Sequence, residues 1–488
     1  MTPHNTSPPE IQVCILERLM EPDEKSNGPK YYRSICASVC KGWQQIIERR
    51  TFRHLTLQPS DITEFARLAH PSRRGCIKHI LLEIPVKSSS DIWPHNPYQT
   101  HEENNAGFTR AVQRLWEVLS TWRGHHIALE FGIYSSFELR VNSGACENTR
   151  EAYSKFLEYG PSGVALPDLH LEQLKWFQRP PSDIAALDIW NWRNWSLLGH
   201  GPLEFDDSKL VDDGDQVPHH FILPEAEAIT HLLMRRRYFR NISAKAWSQI
   251  FKAAPCLEAI HIERWCYGRR QNDREWDNDS AFLGHELPSS LKQFSFYEEL
   301  STDYHQRPGK MRSRRSNLKL LEAMAKSTHH LEHLSISFAF DARNFFQPNL
   351  QLNWDSLITI SLTSNILVLR SNDMVNELLQ RAAQAAKKMP KLKILELWYC
   401  KTGEAGIFRY EKFDRFSSVI WQGTWTFTLS ETAKQAWDEG FNDSDRELFG
   451  LGVSVISLPP EEITSVRSIF PYLKLKKYIL HDVSWTQV

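Results

Sequence analysis

One spacing of apolar residues recurs along this chain and restricts the folds that it can adopt. In each copy an apolar residue is followed by two others, and then by two apolar residues that are separated by one position. Apolar residues that alternate with a period of two predict a strand with one buried face. The spacing occurs nine times, at Phe52/Leu55/Leu57, Ile77/Ile80/Leu82, Ile184/Leu187/Ile189, Ile229/Leu232/Met234, Leu257/Ile260/Ile262, Leu291/Phe294/Phe296, Leu331/Leu334/Ile336, Leu357/Ile360/Leu362 and Leu392/Leu395/Leu397.

Three of these copies share a longer pattern, in which a helical stretch and a tight turn precede the strand. The helical stretches cover residues 246–253, 318–325 and 375–388. From residue 229 onward, successive copies begin 26 to 40 residues apart, which is in the range of repeat architectures. One copy would arise by chance in any leucine-rich chain, but nine copies make chance the weaker account. The sequence therefore predicts an α/β repeat fold, an irregular leucine-rich-repeat-like solenoid in which each unit buries its apolar face against the next.

The two ends of the chain depart from this repeat. Residues 1–50 carry apolar residues at helical spacing and predict a small helical domain. Residues 406–488 predict an α+β closing segment that covers the end of the solenoid, with a last strand over residues 475–480. We therefore expect three domains, with the repeat-like domain at residues 51–405.

The charge balance excludes several classes of partner. The chain carries 58 basic and 59 acidic residues, a net charge of −1, so we expect no binding to nucleic acid or to membrane surfaces, which favour a basic excess. Residues 356–369 form the longest apolar stretch, which is too short to span a bilayer, and the polar N-terminus does not suit a signal peptide. The eight cysteines form no CxxC pair, as is typical of a reducing compartment. We expect an intracellular protein, cytoplasmic or nuclear.

The sequence offers no recognisable active site. Histidine pairs at residues 125–126, 219–220 and 329–330 lack carboxylate or cysteine partners at ligand spacing. Cys36 and Cys40 lie one helical turn apart in an apolar stripe and are better explained as small buried residues. No phosphate-binding loop, dinucleotide fingerprint or nucleophile elbow is present. We therefore expect a protein that is not an enzyme, with no catalytic residues, no metal and no cofactor.

The N-terminal residues carry a motif that resembles an F-box. An F-box begins with a Leu-Pro-x-Glu-Ile helix and continues with a Val-Cys-x-x-Trp helix. Here Ser7 or Pro8 replaces the leading leucine, and Phe52 stands where a tryptophan is common. The matching residues run from Pro9-Glu10-Ile11 and Ile15-Leu16 to Val39-Cys40 and Trp43.

The likeness extends beyond the motif, since most of the chain is similar to an uncharacterised family of fungal F-box-like proteins. The matching stretches include residues 37–43, 52–57 and 108–122, together with the Trp/Tyr-rich C-terminus. An F-box followed by leucine-rich repeats is a recurrent arrangement. The resemblance therefore implies that residues 1–50 are an F-box-like helical domain.

The function implied by this resemblance is that of a substrate receptor in an SCF-type ubiquitin ligase. F-box helices dock on an Skp1-like adaptor by burying apolar side chains in a groove, and the adaptor joins the receptor to a cullin complex. The second domain would hold an unknown protein substrate and raise its effective concentration beside the ubiquitin-loaded enzyme. The adaptor-binding residues implied here are Pro9, Ile11, Ile15, Leu16, Val39, Cys40 and Trp43.

Two alternatives remain open at this point. The same N-terminal residues could form only the small helical core of the F-box itself. The chain could also be a leucine-rich-repeat-like interaction scaffold that is not coupled to ubiquitination, an alternative that the missing leucine supports. In either case we expect substrate or partner recognition on the strand-lined face or on the long loops.

Overall fold

A computed structural model gives the arrangement of most of the chain. It describes residues 11, 14, 35–87, 97–135, 198–206, 221–267, 270–299, 316–327, 330–347, 354–413, 416–438, 451–482 and 484.

Within these described residues, twelve strands form a single sheet in which the spatial order of the strands is their order along the chain. Neighbouring strands run parallel from β1 to β9, antiparallel from β9 through β10 to β11, and parallel again from β11 to β12. The strands are β1 (His54–Leu57), β2 (His79–Val86), β3 (Ile127–Ser135), β4 (Ile229–Met234), β5 (Ala259–Trp265), β6 (Gln293–Glu299), β7 (His333–Ser337), β8 (Thr359–Thr363), β9 (Ile394–Lys401), β10 (Glu404–Lys412), β11 (Ser417–Gly423) and β12 (Gly452–Ser457).

Helices occupy most of the connections between these strands. They are α1 (Lys41–Thr51), α2 (Ile62–Leu68), α3 (Pro71–Arg74), α4 (Pro97–Leu119), α5 (Ala244–Lys252), α6 (Arg270–Asp279), α7 (Phe282–His285), α8 (Leu318–Ser327), α9 (Ala342–Phe345), α10 (Asn372–Ala386), α11 (Glu431–Asp438) and α12 (Lys476–Ile479), with 3₁₀ segments at Asn365–Val368, Pro460–Glu462 and Val466–Tyr472. Across the described residues, no helix is both long enough and apolar enough to cross a bilayer.

The main core lies between one face of the sheet and the helices, and the strand alternation builds it. The register places apolar residues of successive strands side by side, and each is almost completely buried. Burying one such side chain contributes about 2 kcal/mol, so a row of them favours a sheet with this register. One row runs through Leu232, Ile260, Phe294, Leu334, Ile360 and Leu395.

Helix α5 shows how the helices complete this core. The Ser243 side chain accepts a hydrogen bond from the backbone N–H of Ala246 and caps the helix at its first turn. Trp247, Ile250 and Phe251 lie on the buried side of the helix, within the main core. The cap and the apolar stripe together explain why the helix begins after Ser243 and packs on the sheet.

The second face of the sheet is polar in its middle strands, and the C-terminal part of the chain covers it. The register aligns one row of residues on this face across strands β3 to β9. In order, the row is Glu130, Leu233, His261, Ser295, Ser335, Ser361 and Glu396. A second apolar cluster joins sheet residues to the covering segment. It contains Tyr297, Trp398, Cys400, Ala405 and Ile407 together with Leu458, Ile463, Ile469, Phe470, Leu473, Ile479 and Leu480.

The predicted fold class is wrong. The described residues do not form a helical F-box followed by a leucine-rich-repeat-like solenoid, because β1–β12 belong to one mostly parallel sheet. Strand β8 is buried at every residue, and β3 and β4 are buried at all but one. Strands covered on both faces are typical of parallel α/β sheets.

The error has a physical cause. The recurrent spacing shows only that alternate residues of a strand share a buried face. It therefore predicts the strands, but it predicts neither how they are arranged in a sheet nor which part of the chain covers the other face. Residues 475–480, predicted as a strand from the same spacing, include helix α12. The copy at Ile184/Leu187/Ile189 lies outside the described residues, and the division into three domains stays a prediction.

Candidate functional site

The residues near the N-terminus build a small apolar cluster that is separate from the main core. Helix α1 begins after Cys40, whose backbone is extended. Ile47 is buried in this cluster, packed by Trp43, Ile46, Cys36 and Ala37. The apolar residues of α1 therefore pack in a local cluster, and other apolar residues near the N-terminus remain exposed to solvent.

The structure describes four of the seven residues predicted to bind an adaptor. Ile11 is 50% exposed and Val39 is 60% exposed; Cys40 is also exposed, and Trp43 is half-buried. Pro9, Ile15 and Leu16 lie outside the described residues. The adaptor-binding role of all seven stays a prediction.

A turn before α1 brings a further apolar residue into this region. The backbone N–H of Ser38 donates to the carbonyl oxygen of Ile35 at 3.1 Å, and that of Val39 donates to Cys36 at 3.2 Å. Ile35 is 59% exposed. Ile35 and Val39 thus offer apolar surface to solvent just before α1, as a docking surface requires. The helical spacing of the sequence includes Ile35 but gives no sign of its exposure.

Ion pairing attaches α1 to the first end of the sheet. Arg73, on α3, donates to the Glu48 carboxylate at 2.8 Å and lies over the Phe52 ring at 4.9 Å from its centre. The hydrogen bond from the Arg73 guanidinium holds the pKa of Glu48 below its ordinary value. This contact ties the N-terminal cluster to the connection between β1 and β2.

A second set of side chains, which the sequence interpretation missed, lies buried on the second face of the sheet. Glu130, Glu263 and Glu396 are fully shielded from solvent on β3, β5 and β9. Buried carboxylates need charged or hydrogen-bonding partners to remain ionised. The signal in the sequence is a glutamate that directly follows one of the alternating apolar residues of a strand.

Glu130 takes its partners from neighbouring strands. Arg235 Nε donates to its Oε1 at 2.6 Å, and His79 Nε2 lies 3.0 Å from its Oε2. Arg235 is itself completely buried. Such a pair is costly to break, because removal of one partner leaves the other charge buried.

Glu263 receives four hydrogen bonds, two of them from the C-terminal segment. The backbone N–H of Arg236 donates at 2.8 Å, that of His481 at 2.7 Å and the Ser484 hydroxyl at 2.5 Å, while His261 Nε2 lies at 2.9 Å. Burial raises the pKa of this carboxyl, but the hydrogen bonds and the charge of His261 outweigh burial and lower it to about 2. Burial also lowers the pKa of His481, to about 4, and the nearby Arg235 adds to that effect.

Glu396 holds the same segment further along. The backbone N–H groups of Lys474 and Leu475 donate to its two carboxylate oxygens, each at 3.0 Å. Burial raises the pKa of Glu396, although these two N–H groups and Arg409 oppose that rise. The Lys474 ammonium also donates to Glu411 at 2.6 Å.

The C-terminal segment (residues 474–482 and 484) therefore crosses the sheet from β9 to β5. Between the contacts at Glu396 and Glu263, the Tyr478 ring stacks on the ring of His333 in β7, with 4.5 Å between their centres. The crossing spans four strand spacings, about 19 Å. We expected recognition on the strand-lined face or on the long loops, and in strands β5–β9 the chain itself covers one face of the sheet.

The chemistry of this buried set is structural. Its carboxylates accept hydrogen bonds from main-chain N–H groups or pair with arginine. Because the hydrogen bonds come mainly from the backbone, they hold the covering segment in place whatever most of the side chains of that segment are. On the helix side of the sheet, Arg264 likewise bonds Glu298, reaches Asp273 at 3.3 Å and lies over the Trp276 ring. In the part of the chain that the structure describes, no group of three or more His, Cys, Asp or Glu residues could hold a metal ion.

Comparison with protein families gives a match over part of the chain. The model of a "Family of unknown function (DUF6546)" matches residues 286–481, which is less than half of the chain. The matched residues contain β6–β12 and reach into the C-terminal segment, and they exclude the predicted adaptor-binding residues. None of the curated proteins matches the chain.

Proposed function

We propose that this chain is the substrate-recognition subunit of an SCF-type ubiquitin ligase. It binds an Skp1-like adaptor of a cullin complex through its N-terminal residues, and an unknown protein substrate through the part of the chain that carries the sheet. The observation that carries the proposal is the exposure of Ile11 and Val39 in the segment whose sequence resembles an F-box.

The physical basis is apolar burial between partners. Val39 and Cys40 precede α1, and Trp43 lies in its first turn, half-buried against the local cluster. An adaptor groove that covers them removes apolar surface from water at about 25 cal/mol per Å². Trp43 is the expected hot spot, since large aromatic side chains dominate many interfaces.

The receptor itself carries out no chemistry in this proposal. The cullin complex supplies the ubiquitin-loaded enzyme, and the chain acts by holding the substrate close to it, which raises the effective concentration of the substrate. This function places the protein in the cytoplasm or the nucleus.

The test is co-purification of the full chain with an Skp1-like adaptor after co-expression. We expect the wild-type chain to retain the adaptor, and Val39→Asp or Trp43→Ala to reduce its capture at least tenfold. Ile222→Asp is the matched control, because Ile222 is 83% exposed elsewhere in the chain and its substitution should leave capture unchanged. Failure of the wild-type chain to capture the adaptor would end the ligase proposal.

A second candidate is an interaction scaffold that is not coupled to ubiquitination. The departure at Ser7 and Pro8, where the F-box pattern begins with leucine, favours this alternative. The scaffold predicts partner binding without adaptor capture, so the same co-purification separates the two functions.

A further inference from the structure

Among the residues that the structure describes, strand β12 leaves one edge of the sheet open. It is the last strand in the spatial order and pairs with β11 alone among the described residues. All six of its residues are exposed. Val453 is 42% exposed, Val455 is 54% exposed and Ile456 is 44% exposed, so the edge combines free backbone hydrogen-bonding positions with apolar side chains on both faces.

This edge lacks the usual protection against strand pairing. Natural edge strands carry charges or proline, or they are very short. The segment Gly452–Ser457 reads Gly-Val-Ser-Val-Ile-Ser, with neither a charge nor a proline. The opposite edge strand, β1, has only four residues, and Leu57 within it is buried.

An exposed aromatic pair lies at the β10–β11 turn, near the start of this edge. Phe413 and Phe416 stack with 4.4 Å between ring centres, and the backbone N–H of Phe413 donates to the carbonyl of Phe416 at 2.9 Å. Phe413 is 41% exposed and Phe416 is 42% exposed. Because Ser418 of β11 aligns with Gly452 of β12, the pair is located at the end of the sheet where β12 begins.

We propose that β12 binds an extended, uncharged segment of a partner protein, which adds a thirteenth strand to the sheet. Main-chain hydrogen bonds would supply affinity in this mode, and the apolar side chains would supply selectivity. The inference rests on the proposed function, because it names the form in which the receptor holds its substrate.

The size of the edge favours a peptide over a second folded copy of this chain. Six residues at about 3.3 Å each form a strip about 20 Å long and about 10 Å wide, or about 200 Å² per partner. A stable protein interface buries about 800 Å² per partner. The absence of charge on Gly452–Ser457 also indicates that the bound segment is uncharged. A charged strand that paired with this edge would lose hydration without gaining a partner of opposite charge.

The probe for this site is a displayed library of random decapeptides, selected on the immobilised full-length chain. We expect enrichment of uncharged peptides with alternating β-branched residues. An enriched peptide, labelled and measured by fluorescence anisotropy, should bind Val455→Lys or Val453→Lys at least tenfold more weakly than wild type. Ile222→Lys is the matched control and should bind as wild type does.

Three results would overturn the proposal. The selection could enrich nothing, the enriched peptides could bind Val455→Lys as well as wild type, or light scattering could show a dimer that Val455→Lys abolishes, which would make a second copy the occupant. Measurement of adaptor capture by the same variants distinguishes failure of this proposal from failure of the ligase proposal. Val455→Lys should still capture the adaptor, and Val39→Asp should still bind the peptide.

Discussion

Replacement of the Glu263 carboxylate by an amide tests whether this side chain holds the C-terminal segment on the sheet. Glu263→Gln keeps the size of the side chain and one acceptor oxygen. It replaces the second oxygen by an NH₂ group, which would then face a hydrogen-bond donor, either the Ser484 hydroxyl or the backbone N–H of His481. The substitution therefore removes a buried charge and at least one of its hydrogen bonds.

The expected loss follows from the pKa of this carboxyl. A pKa of about 2 in the fold, against an ordinary value of 4.5, corresponds to about 3 kcal/mol of stability at neutral pH. The pKa is lower in the fold, so this contribution is complete above pH 4.5 and is lost as the pH falls toward 2. Losses of about 3–5 kcal/mol are typical when one partner of a buried ionic network is removed.

The assay is equilibrium unfolding of the full chain in urea at pH 7, with hydrogen exchange over residues 474–484. We expect Glu263→Gln to lower the free energy of unfolding by about 3 kcal/mol and to accelerate exchange in that segment. Glu258→Gln is the matched control, because Glu258 lies one residue before β5 in a solvent-exposed pair with Lys292 at 3.5 Å. Exposed pairs contribute about 0–1 kcal/mol. If the two variants unfold alike, Glu263 does not hold the segment.

Three further predictions concern pH and close packing. The pKa of His481 is about 4 in the fold against 6.5 ordinarily, so wild-type melting temperature should fall between pH 6.5 and 4, and His481→Gln should flatten that fall. Gly406→Ala should destabilise the chain by about 1–3 kcal/mol in urea, because the added Cβ would lie 2.6 Å from the Leu367 carbonyl oxygen. Gly107→Ala in helix α4 meets open space and should raise stability by about 1 kcal/mol, measured in the same way.

Sequence spacing reveals the strands that carry all three apolar positions of the recurrent spacing and misses a strand in which one of these positions is polar. Strand β5 follows the recurrent spacing because Ile260 and Ile262 face the core while His261 and Glu263 face the polar side. Strand β3 (Ile127–Ser135) also alternates, with Ile127, Leu129 and Phe131 on one face, but it was not predicted because His126 stands where the recurrent spacing has its first apolar residue.

The candidate sites divide in a similar way. The F-box-like motif identifies Val39 and Trp43, but only the structure shows that Val39 is exposed and Trp43 half-buried. The buried glutamates are visible in the sequence as charges inside strands, yet their partners are distant. His481 lies 218 residues from Glu263, and no local pattern connects them.

The sequential strand order has a consequence for synthesis of the chain. Each strand pairs with its neighbour in the sequence, so the sheet can grow strand by strand as the polypeptide emerges. The C-terminal segment docks only after β5 and β9 exist. Until then, Glu263 and Glu396 face water as charged groups in the middle of an unfinished sheet, and inward-pointing charges of this kind discourage aggregation. We therefore expect the carboxylates that later anchor the segment also to help keep the growing sheet soluble.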